Sequence, residues 1–130
     1  MQKNIIACVT AQISCKEIII AAANLSKLTN SNLIVVTSQK LKVDAKRRAN
    51  DLKVLNNLSR ITGYDINIIY SDNPTSALIS YINKFNPYHI FIGSPKIDKT
   101  FYNNFVKEYA SVPISIVNTK NAQGISICIS

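Results

Sequence analysis

Five short β-rich runs, nearly continuous in apolar residues, recur along this chain: NIIACVT (4–10), NLIVVTS (32–38), DINIIYS (65–71), YHIFIGS (88–94) and VPISIVN (112–118). A strand that alternates apolar and polar residues has one wet face. A strand that is apolar at successive positions must be covered on both, as in a parallel sheet sandwiched between helices. Stretches of helical length separate the runs. SCKEIIIAAANLSKL opens with a capping box, in which Ser14 caps and Glu17 reaches back. DAKRRANDLKVLNNLSRITG begins at Asp44, sets Ala45, Ala49, Leu52 and Leu55 along one face, and stops at Gly63. NPTSALISYINKFN takes Asn73 as its cap and Pro74 as its first helical residue. DKTFYNNFVKEYA spaces Phe101, Phe105 and Tyr109 four apart, as core-facing residues of a helix.

The order βαβαβαβαβ predicts an α/β fold, a single doubly wound five-stranded parallel sheet with right-handed crossovers, formed as one domain over 1–130. The tail differs. Ile125, Ile127 and Ile129 alternate with Ser126, Cys128 and Ser130, the period of a half-buried strand. Gly124 and the polar residues before it let that segment return as a C-terminal edge strand or hairpin on the fifth strand.

At 47% apolar and 17% charged residues the chain has the composition of a folded domain. No apolar run approaches the roughly 18–20 residues of a membrane span. The opening MQKNIIACVTAQ lacks a signal peptide's long apolar stretch, so a cytoplasmic location without a membrane partner is expected. Cys8, Cys15 and Cys128 are odd in number, form no C-x-x-C pair, and read as free thiols. One histidine makes a Cys/His zinc site improbable, and no metal is expected.

The net charge of +8 is concentrated in QKLKVDAKRRANDLK, residues 39–53, where six basic residues meet only Asp44 and Asp51. Such a run reads first as a solvated helix face. Weak nucleic-acid binding through the basic 40–53 helix, using Lys46, Arg47 and Arg48, is a further alternative, which no aromatic RNA-binding motif or zinc finger supports.

IFIGSPKIDKTF (90–101) comes near a phosphate loop, G-x-x-x-x-G-K-[ST]: Gly93, Lys99 and Thr100 are suitably ordered, but Asp98 stands for the second glycine. A phosphate loop needs glycines so that the backbone can curl and aim several N–H groups at one anion. The Cβ of Asp98 restricts that curl and its carboxylate repels phosphate. Asp98 reads better as the N-cap of the following helix. The minority reading is a weak anion pocket of Ser94, Lys96, Lys99 and Thr100.

With these elements in place the chain resembles the universal stress protein family over nearly its full length. The residues that carry the resemblance are NIIACVT followed by a capped helix and, above all, SDNPTSALISYINKFNPYHIFIGSP (71–95). The match is nearest to the short stress-protein-like domain of bacterial potassium-sensing histidine kinases. The resemblance implies a five-stranded parallel sheet, homodimers through the fifth strand, and members that do or do not bind ATP. Binding members look like G-x2-G-x9-G-[ST] after the fourth strand, with an aspartate ending the first. Here Gly93 and Ser94 match the start of that pattern, Lys96 stands where its second glycine belongs, and no later Gly-Ser/Thr follows. The first strand ends Thr10-Ala11-Gln12, without an aspartate. Each departure removes a contact that a nucleotide needs.

The expected function is that of a non-enzymatic stress-response or regulatory domain with no required cofactor, homodimeric through the fifth strand and the tail. Its ligand residues would be Thr10, Ala11, Gln12, Gly93, Ser94 and Lys96, over the carboxyl ends of the first and fourth strands. The alternative is an adenine-nucleotide-binding or hydrolysing protein that uses the Gly93–Thr100 loop, with Lys99 and Thr100. No catalytic constellation is evident. His89, within the fourth strand, reads as a packed residue, and Cys15, in a helix's first turn, has no paired base.

Overall fold

Each apolar run becomes a strand, and each intervening stretch a helix. The computed structural model describes residues 3–93, 99–118 and 126–129, with side chains placed for 3–93 and 103–118. In chain order the elements are β1 (Asn4–Cys8), a 3-10 turn (Ile13–Cys15), α1 (Lys16–Thr29), β2 (Asn32–Lys40), α2 (Ala45–Thr62) and β3 (Ile66–Ser71). They continue with α3 (Pro74–Asn83), β4 (His89–Gly93), α4 (Lys99–Glu108), β5 (Ile114–Val117) and β6 (Ser126–Ile129). The sheet order is β3-β2-β1-β4-β5-β6. The first five strands are parallel, and β6 returns antiparallel on β5, in register from Ile114↔Ile129 to Val117↔Ser126. Both the predicted five-stranded sheet and the returning tail strand are therefore present; Gly124 and Ile125 lie outside the described residues.

Alternate residues of each strand feed opposite cores. Ile5, Ala7 and Val9 meet Ile18, Ile19 and Ala22 of α1 and Leu55 and Leu58 of α2. On the other face Ile6, Ile90, Ile92 and Ile114 meet Leu78 and Ile82 of α3 and Phe105 and Tyr109 of α4. Full burial of each of the Val, Leu, Ile and Phe side chains among them contributes about 1.5–3 kcal/mol, which explains why both faces of the central strands are apolar. The Tyr109 hydroxyl ties α4 to α3, 2.9 Å from Asn83 Oδ1 and 3.1 Å from the Ile79 carbonyl oxygen. Burial pushes that phenol up to about 12, and the Glu108 carboxylate adds to the shift.

Helix ends follow the sequence closely at α2 and α3. Asp44 accepts from the Arg47 N–H at 2.8 Å, and Gly63 closes α2 in the left-handed region at φ 81°. Asn73 caps α3, with Pro74 at its first position. Two expectations fail. The Ser14–Glu17 capping box does not form, because the chain enters α1 through the 3-10 turn and no side chain caps it. The predicted stripe on α2 holds only in its second half: Leu55 is buried and Leu52 partly buried, but Ala45 and Ala49 are exposed, and Leu58 completes the docking face.

Candidate functional site

β1 has β2 on one side and β4 on the other, so the chain's direction of winding reverses between β1 and β4. The crevice outside their carboxyl ends is where this architecture accepts ligands. Of the expected ligand residues, Thr10, Ala11, Gln12 and Gly93 lie at this end of the sheet. Val9 continues β1, donates to the Val36 carbonyl at 3.0 Å and is buried. Thr10, Ala11 and Gln12 follow it, and Gly93 ends β4.

Local contacts give Thr10, Ala11 and Gln12 each a structural task. The Thr10 N–H donates to Cys15 Sγ at 3.5 Å, and the Thr10 hydroxyl lies 3.4 Å from the same sulfur. Ala11 packs against the α1/α2 core. The Gln12 N–H bonds the Thr10 carbonyl at 2.8 Å, and its own carbonyl accepts from the Cys15 N–H at 3.0 Å. The turn is thereby closed on itself around a buried thiol. The side chains of Thr10 and Gln12 remain exposed at the rim. Lys99 and Thr100 open α4. Ser94, Lys96 and Asp98 lie outside the described residues.

The second rim was not legible in the sequence. Cys8 of β1 pairs with Val36 of β2, so Thr37 through Lys40 run on past the end of β1, paired with β3 as far as Lys40↔Ser71. Thr37 is buried and accepts from the Gln39 amide at 2.8 Å, while the Ser38 hydroxyl donates to the Pro74 carbonyl at 2.6 Å. Only the polar ending of the run, Thr-Ser-Gln-Lys, could have signalled this shoulder. Arg48 braces it from α2. Its guanidinium donates to the Lys40 and Leu41 carbonyls, each at 2.8 Å, and stacks over the Tyr70 ring at 4.3 Å.

The remaining candidates are packed. His89 Nε2 lies 2.7 Å from Ser115 Oγ, its ring stacks on Phe91, and burial lowers its pKa. Burial pushes the Cys8 thiol up to about 12. Among the described residues no group of three or more His, Cys, Asp or Glu is placed to hold a metal, and no helix is long and apolar enough to cross a membrane.

No protein-family model matches the sequence, and no curated protein does. Solved structures match instead. A universal stress protein from Archaeoglobus fulgidus superposes with a TM-score of 0.68 at 15% identity, over 89% of this chain and 93% of that one. This chain has the universal stress protein fold. The Archaeoglobus fulgidus universal stress protein solved in complex with dAMP gives a TM-score of 0.64 at 12% identity, over 89% of this chain and 97% of that one. A third structure, of a universal stress protein from Archaeoglobus fulgidus DSM 4304, gives 0.57 at 17% identity. There the match covers 88% of this chain but only 43% of the longer one.

Proposed function

We propose that this chain is a cytoplasmic, non-enzymatic regulatory or stress-response domain of the universal stress protein type, acting by binding and self-association. The observation that carries this reading is the closure of the β1–α1 turn on itself. At the strand end where a ligand would be met, Thr10 is bonded to Cys15, Ala11 is packed on the core, and Gln12 spends its backbone on the 3-10 turn. The dAMP complex of the Archaeoglobus fulgidus protein makes an adenine nucleotide the ligand to test. For this chain weak ATP binding or none is expected, because Lys96 and Asp98 replace glycines and no aspartate ends β1. The finer form of the proposal follows the resemblance to the stress-protein-like domain of potassium-sensing histidine kinases: a module that reports to a partner by changing its association.

Self-association is assigned to the β5–β6 edge. β6 covers β5 and becomes the outer strand, and an apolar outer strand invites pairing with a second copy. Calorimetry with millimolar ATP and magnesium, run beside a phosphate-release assay, tests the binding half. Little heat and no turnover are expected; micromolar affinity or turnover would overturn it. Deleting residues 121–130 is expected to change the mass seen in light scattering or to cause aggregation. A soluble truncated protein of unchanged oligomeric state would remove the tail from the interface.

A further inference from the structure

We propose that the solvent face of α2 is a contact surface for the sugar–phosphate backbone of nucleic acid, engaged without regard to base sequence. Because α2 docks through Leu55 and Leu58, its opposite face exposes Lys46, Asn50, Lys53, Asn56 and Arg60. At about 1.5 Å per residue, Lys46 to Arg60 extend over roughly 21 Å. Every long polar side chain on that face is a cation or a carboxamide, and none is a carboxylate.

The two neighbouring carboxylates are engaged within the helix. Asp44 accepts the Arg47 N–H at 2.8 Å, and Asp51 lies 3.9 Å from the Arg47 side chain. Arg48, which the sequence groups with Lys46 and Arg47, is not part of the surface. It is bonded to the Lys40 and Leu41 carbonyls and stacked on Tyr70, so it fixes the start of α2 against the end of β2. The brace holds the outward cations on a rigid element.

The chemistry of the face separates the polyanions that might meet it. A helix lying in a membrane surface needs an apolar flank free to insert beside its cations. Here the apolar flank is buried in the sheet, and the large apolar residue exposed on α2 is Ile61, in the last turn. An acidic protein partner calls for an aromatic or Arg anchor at the centre of the contact; the arginine of this face, Arg60, stands at its far end, and the nearby aromatic, Tyr70, is already stacked against Arg48. A phosphate backbone calls for repeated cations and amide donors along an extended line, with no further pattern. That is what α2 presents.

Fluorescence polarisation of a labelled mixed-sequence duplex of about 20 base pairs, titrated with the full chain between about 50 and 200 mM salt, tests this. Binding at low salt that weakens steeply with salt, equally for a second unrelated duplex, is expected. The triple variant Lys46→Gln, Lys53→Gln, Arg60→Gln should lose at least about tenfold in low-salt affinity, with a salt slope shallower by about two to three. Its circular dichroism and urea midpoint should be unchanged. A control triple, Lys16→Gln, Lys27→Gln, Lys84→Gln, removes the same charge from other elements and should keep the slope. Equal losses in the two triples, or no binding at about 50 mM salt, would overturn the proposal.

Discussion

β1 and β2 are neighbouring parallel strands, yet they leave the sheet in opposite styles. After Cys8 the chain turns inward at once: Val9 is buried, Thr10 bonds the Cys15 sulfur, and Ala11 packs on the core. After Val36, level with Cys8, β2 instead runs on for four residues and ends in an arginine-braced shoulder. The first exit uses its polar groups to close itself. The second uses Asp44, Asp51 and Arg48 internally and leaves lysines outward. The difference teaches that two adjacent strands can spend their polar endings in opposite ways, one closing its own turn and the other leaving cations in solvent.

The largest effect that can break this comparison comes from the anchor of α2. If the helix is held by its second half, Leu58→Ala should cost about 2–5 kcal/mol, and Leu52→Ala, at a partly exposed position, distinctly less. Urea denaturation of the two variants decides the matter; equal costs would show that the first half anchors the helix as firmly as the second. A smaller effect is expected at the shoulder's entry. Asp44→Ala removes the cap bonded to the Arg47 N–H and should lower stability by about 0.5–2 kcal/mol. If Asp44→Ala leaves the urea midpoint unmoved, the cap is not what starts the helix.

The smallest effect sharpens the account of the β1 exit. Thr10→Val removes one hydroxyl from a half-buried contact with sulfur, so a loss of about 0.5–1.5 kcal/mol bounds the change from above. The informative readout is alkylation of Cys15. Its sulfur is buried beneath Thr10, and labelling should stay slow in the wild type and quicken in the variant. Labelling at equal rates would show that the turn is not closed by this bond.

What could be read from sequence divides along the same line. Continuous apolar runs locate the central strands because burial on both faces leaves few polar positions to mislead, and the edge strand β3, with Asn67 and Tyr70 exposed, is still marked by its isoleucines. Asp44, Gly63, Asn73 and Pro74 act as read, since caps depend on local backbone geometry alone. Asn30, left-handed at φ 52°, ends α1 without having been singled out, because asparagine there is a weaker signal than glycine. The Ser14–Glu17 box fails because Ser14 lies inside a 3-10 turn, tied to Thr10 through Cys15, rather than at the start of α1. Ala45 and Ala49 fit the helical period equally well, but where α2 sits on the sheet leaves them in water. The role of Arg48 was hidden for the same reason, since Tyr70 reaches it only once β3 pairs with β2.

Native mass spectrometry of the gently purified protein tests the central claim most directly, that the mouth beside β1 is committed to the fold rather than to a nucleotide. The predicted spectrum shows whole-number copies of the polypeptide with no added mass. A retained adenine nucleotide, one per polypeptide, would contradict the account.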